Sequence, residues 1–133
     1  MKLRYFFLCG VLALASVGAL AQVVVVGTRS ATGELTRDQV AAAFMGKMVG
    51  IEPVDQKEGN AIREEFYTKD VGKSASQVRS YWAKISFTGK GTPPKEYANS
   101  AEVKKALAEN PSAIGYIEKA AVDASVRVVF EGH

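Results

Sequence analysis

Four consecutive valines, Val23 to Val26, stand between Gln22 and Gly27. β-Branched side chains suit an extended backbone, and a strand that is apolar on both faces must be covered on both faces, as parallel strands tend to be. The run therefore predicts an interior strand with packed layers above and below it. The rest of the chain supplies those layers. After a polar loop over residues 28–34 (TRSATGE), Thr36 and Gln39 form a capping box, and Val40, Ala43 and Phe44 make the apolar stripe of a helix that Gly46 ends.

Gly50 to Val54 is a second extended segment, weakened by Pro53, which cannot donate to a ladder. The polar stretch Asp55 to Asn60 leads into a helix with Ile62 and Phe66 on its inner face. Ser74 and Gln77 form another capping box, and Val78, Tyr81, Trp82 and Ile85 recur at the spacing of one helical face. That spacing makes Trp82 a core anchor. Residues 88–95 (TGKGTPPK) are a Gly/Pro loop, followed by a helix capped by Asn99 or Ser100, carrying Val103, Ala106 and Leu107 and stopped by Pro111. Ala113–Ile117 and Ser125–Phe130 are the last two strands. Strands separated by helices predict one α/β domain with a mainly parallel sheet flanked by helices.

Ahead of the valines, Lys2 and Arg4 precede apolar Phe6 to Leu14 and then Ala19-Leu20-Ala21. This is the order of a cleavable secretory signal with a small-x-small site. A spanning helix needs ~20 predominantly apolar residues, and Gly10, Ser16 and Gly18 interrupt the stretch, with no basic stop-transfer cluster after it. The expected division is residues 1–21 as signal peptide and 22–133 as a single domain in the periplasm or outside the cell. Cys9, the single cysteine, lies in the signal, so disulfides and thiol chemistry are excluded from the mature chain. Subtracting Lys2 and Arg4 from 17 basic residues leaves 15 against 14 acidic ones. A nearly neutral domain lacks the electrostatic footprint of a nucleic-acid or anionic-membrane binder.

Catalytic groups are scarce. The single histidine is His133 at the C-terminus, a position too prone to fraying to serve a Ser-His-Asp arrangement. Glu64 and Glu65 are helix neighbours that diverge by about 100° and do not converge on one atom. Gly72-Lys73-Ser74 ends like a phosphate loop, but Tyr67 stands where its first glycine belongs and a helix precedes it; a C-cap glycine followed by an N-cap serine explains it. One histidine and no mature cysteine leave only oxygen ligands for a metal, and no calcium-loop pattern is present. Neither a metal nor any cofactor is called for, and binding rather than catalysis is expected. The segment 55–63 suits small-anion contact: the amides of Asn60, Ala61 and Ile62 would project from a helix N-terminus, and Arg63 lies one turn in. The alternative is that Asn60 caps its own helix while Arg63 pairs with Asp55 or Glu58 at the surface.

Three segments in order, Phe44-Met45-Gly46-Lys47, Pro53 to Phe66 and Ala113-Ile114-Gly115-Tyr116-Ile117, resemble the second lobe of the periplasmic phosphate-binding proteins of ABC transporters. In that family a Phe-x-Gly-Lys helix end, an Asp-Gly-Ser-Gly-Thr anion loop and an Ala-Ile-Gly-Tyr strand recur. Tyr81-Trp82-Ala83-Lys84 and Phe87-Thr88-Gly89-Lys90-Gly91 resemble shorter, one-domain exported relatives. The resemblance implies one lobe of a type 2 periplasmic-binding-protein fold. It also implies a ligand site at Thr28, Ser30, Asp55, Gly59, Asn60, Ala61 and Arg63, for a small anion such as phosphate. The family's Ser-Gly-Thr is replaced by Glu58-Gly59-Asn60, and its arginine before the Asp by Val54. These changes predict weak anion binding, or a cleft completed by a second lobe. The other expectation is a non-ligand-binding module of a transporter, sensor or envelope complex.

Overall fold

The computed structural model describes residues 22–31 and 33–132. The expected signal, with Cys9, and His133 lie outside the described residues. The element order is β1 (Val23–Thr28), α1 (Arg37–Phe44), β2 (Glu52–Gln56), α2 (Ala61–Phe66), α3 (Ala75–Phe87), β3 (Lys95–Tyr97), α4 (Ser100–Glu109), β4 (Ala113–Glu118) and β5 (Val126–Glu131). A π-helical turn, Tyr67–Val71, prolongs α2, and a 3-10 turn, Lys119–Ala121, follows β4. No described helix is long and apolar enough to cross a membrane.

The strands form one sheet in the order β3-β2-β4-β1-β5. β2 pairs in parallel with β3 and β4, whereas β1 is antiparallel to both β4 and β5. Four strands therefore point one way and β1 alone opposes them. The expected mainly parallel α/β sheet is present, but its valine strand is the exception in direction. What the valines dictated was burial. Val23 and Val25 enter a core with Val40, Phe44, Phe66, Val78 and Trp82, while Val24 and Val26 enter a second with Val54, Val103, Leu107 and Ile117. Helices α1–α3 cover the first face and α4 the second.

The caps follow the sequence. Thr36–Gln39 and Ser74–Gln77 are complete capping boxes, and Asn99 caps α4 through Glu102 N. Gly72 closes the α2 extension at φ 80°, and Ser74 opens the next helix. Trp82 is buried, its ring against Gly46, where an added Cβ would lie 2.8 Å from the indole edge. Gly115 is equally constrained: a Cβ there would meet Val103 at 2.6 Å and Val54 at 2.9 Å, so its missing side chain lets α4 approach the sheet.

Two strands depart most from expectation, beyond one-residue shifts at the ends of β4 and β5. β2 starts two residues later, at Glu52, and includes Pro53; pairing with β3 begins only at Val54, so the proline sits where one side of the ladder has not started. β3 emerges from the end of the Gly/Pro loop as a three-residue edge strand, too short to show any alternation.

Candidate functional site

After β2 the chain crosses through α2 and α3 to β3 on one side, then through α4 to β4 on the other side of β2. Such a reversal opens a crevice beyond the carboxyl ends of the two strands. The loop Lys57–Asn60 leaves β2 at that point. Both ends of the described residues lie at the same end of the sheet: Gln22 O accepts from Lys119 N at 2.7 Å, and Gln22 Nε2 donates to Glu131 at 2.8 Å.

The loop is held by its own groups. Lys57 N donates to Tyr97 O at 3.0 Å and Asn60 N to Lys57 O at 3.1 Å, while Gly59 takes φ 94° to make the turn. Asn60 Oδ1 accepts from Ile62 N at 2.8 Å, and its Nδ2 donates to Gln56 Oε1 at 3.0 Å. Of the three amides expected to face a ligand, that of Ala61 alone lacks an intramolecular partner among the described residues.

Beneath the loop lies a buried polar network that joins β2, α2, β3 and β4. Asp55 is 2% exposed; its carboxylate accepts from Tyr67 at 2.6 Å, from Gln56 N at 2.8 Å and from the Tyr116 hydroxyl. Arg63, 6% exposed, donates through Nη1 to Gln56 O at 2.9 Å and Glu96 at 3.1 Å, and stands 3.6 Å from Asp55. Its guanidinium also lies over the Tyr67 ring. Burial pushes the Asp55 pKa up, outweighing the Arg63 charge and the hydrogen bonds that favour the carboxylate. Burial, and then the neighbouring Asp55, push the Tyr67 and Tyr116 hydroxyls well above their ordinary values. Both tyrosines stay protonated and donate.

These contacts place the expected site residues. Gly59, Asn60 and Ala61 form the loop and helix start at the crevice, with Asn60 acting as a cap. Asp55 and Arg63 are turned inward, paired as the alternative reading had it, but in the interior instead of at the surface. An arginine that already bonds a carbonyl and a carboxylate has fewer donors to turn toward a ligand. Thr28 and Ser30 are at the opposite end of the sheet. Val26 pairs with Gly115 and Glu52 with Ala113, so β1 runs out where β2 and β4 begin. Four residues of strand, roughly 13 Å, separate that end from Gln56. The antiparallel direction of β1, invisible in its composition, divides the expected constellation.

Several participants were not anticipated from sequence. Arg79 of α3 reaches Glu58, with Nε 3.1 Å from Oε2 and Nη2 bonded to the same oxygen. Tyr67, Gln56, Tyr116 and Glu96 complete the buried network; none was assigned to the site from sequence, and pairings 12 to 61 residues apart leave no local signal.

No family model and no curated protein matches this sequence. The fold is similar to a protein from Clostridium perfringens assigned as a phosphate ABC transporter substrate-binding protein and solved with bound phosphate. That match has a TM-score of 0.66 and 22% identity, covering 81% of this chain and 44% of the other. It is also similar to an ABC-type phosphate transport receptor from Vibrio cholerae, with a TM-score of 0.63, 18% identity, and 81% and 45% coverage. The chain spans less than half the length of either. With its reversal-point loop and its five-stranded sheet, this chain has the fold of one lobe of the phosphate ABC transporter substrate-binding proteins.

Proposed function

We propose that this chain is exported, is released from its signal after Ala21, and acts as a single solute-binding lobe that engages a small oxyanion weakly, alone or with a second chain across the crevice. The observation that carries the reading is the Lys57–Asn60 loop at the carboxyl ends of β2 and β4, where folds of this type receive ligands. The relatives in fold bear phosphate-transport names, and one was solved with phosphate. The role assigned is binding, with no catalytic step.

The affinity follows from what the loop offers. Relative to the family's loop it lacks two hydroxyls and an arginine, and its Arg63 is engaged internally. Hydrogen bonds of this kind contribute roughly 1–3 kcal/mol each, so three missing contacts move binding by ~3–9 kcal/mol, from tight to about millimolar. Titration calorimetry of the secreted protein with phosphate tests this. A dissociation constant near millimolar is expected, and micromolar binding would overturn the weak-site reading.

The internal engagement of Asp55 and Arg63 favours a second reading, in which the site is vestigial and the lobe is an interaction module of a transporter, sensor or envelope complex. A thermal-shift series with phosphate and sulfate separates the two, because a ligand raises the midpoint in step with RT ln(1 + [L]/Kd). Flat midpoints across the series would favour the module. Export itself is checked by intact mass: the secreted protein should begin at Gln22 and carry no thiol.

A further inference from the structure

Helix α3 brings Arg79 to a loop 21 residues earlier in the chain. Its Nε and Nη2, the paired edge with which a guanidinium grips an oxyanion, both converge on one oxygen of Glu58. Both side chains are open to solvent, 60% for Arg79 and 41% for Glu58. The hydrogen bond from Arg79 holds the Glu58 carboxyl below its ordinary range, and the more distant charge of Arg63 acts in the same direction. A carboxylate held by the Arg79 guanidinium therefore sits in the loop that faces the crevice. We propose that Arg79 is the anion-recognising residue of this lobe and that Glu58 is its tethered competitor, an internal carboxylate occupying the fork that would otherwise take an oxyanion such as phosphate.

The proposal rests on the oxyanion reading above and gives it a mechanism. Glu58 does more than repel an incoming anion; it takes up the donors that would bind one. A group on a short tether competes at an effective concentration on the order of millimolar, so a free anion needs a comparable concentration to displace it. Because the pair is exposed, it is screened by salt and adds little to stability. Removing Glu58 leaves the fold intact and the fork free.

Calorimetric titration of phosphate into the secreted protein and its Glu58→Gln, Arg79→Gln and doubly substituted forms decides the matter, with circular dichroism confirming that all four fold. Glu58→Gln is expected to bind phosphate about fivefold tighter or better, as for the loss of a competing exposed pair. Arg79→Gln and the double variant should show no such gain. Sulfate should follow the same ranking. The proposal is overturned if Glu58→Gln binds no better than the parent, binds no phosphate at all, or keeps its gain without Arg79. Equal phosphate affinity in all four proteins would leave the oxyanion reading standing and remove this one. Binding by Glu58→Gln with none by the parent would sustain this proposal and refute weak anion binding by the native lobe.

Discussion

The two faces of the sheet are built from different chemistry. Beneath α4 the core is aliphatic, with Val24, Val26, Val54, Val103, Leu107 and Ile117 in contact. Beneath α1–α3 it is aromatic: Phe66 stacks on Tyr116 at 4.1 Å and meets Phe44 edge-on at 4.7 Å, with Tyr67 and Trp82 completing the layer. The hydroxyl ends of those tyrosines converge on Asp55. One face is held by transfer of hydrocarbon from water, which is non-directional, whereas the other also carries a directed ionic network whose partners come from four elements. The site adjoins this directed network, because a loop can be held in one conformation only by contacts that specify orientation.

The largest expected effects come from both cores. Trp82→Ala should cost about 3–5 kcal/mol and Leu107→Ala about 2–5 kcal/mol, measured by denaturant unfolding. If Trp82→Ala kept the parent's stability and altered only binding, the aromatic face would not be a core.

A smaller effect, about 3 kcal/mol, is expected for Arg63→Met, which strands a buried carboxylate. Its pH dependence should separate the faces. Asp55 already has a folded pKa above its unfolded value, and the Arg63 charge is what holds it down. The stability linked to such a group is fully present below the unfolded pKa, near 3.8, and is lost as pH rises through the folded pKa. Without Arg63 the folded pKa climbs further, so the deficit of Arg63→Met should grow from pH 4 to pH 7. Adding Asp55→Asn should flatten that growth. The deficit of Leu107→Ala should not follow this course, and parallel pH profiles for the two variants would contradict the division drawn here.

The smallest effect is expected for Tyr67→Phe, which removes one hydrogen bond to Asp55 and should cost roughly 1–3 kcal/mol, since the acceptor is charged. It should also raise the Asp55 pKa, because the bond favours the carboxylate. Carboxyl resonances followed by NMR across the titration would check the direction; a fall would reverse the assigned role of the hydroxyl.

Much of this architecture is written locally. The valine run, both capping boxes, the Val78-Tyr81-Trp82-Ile85 stripe and the Asn99 cap all appear where their spacing puts them, because each depends on residues within one or two turns. The loop at Gly59–Asn60 was legible for the same reason, since a glycine turn and an asparagine cap are short-range devices. β3 was not, for three residues carry no period.

Sequence by itself determined which apolar residues are interior, where the helices begin, and that a loop and a helix start follow β2. Tertiary structure decided the rest: that β1 opposes its neighbours and carries Thr28 and Ser30 away from the loop, that Arg63 turns inward to Asp55, and that Arg79 meets Glu58. The physical reason is one of range. Apolar burial and capping follow from periodicity along the chain, whereas strand direction and charge pairing depend on which distant segments the folded sheet sets side by side.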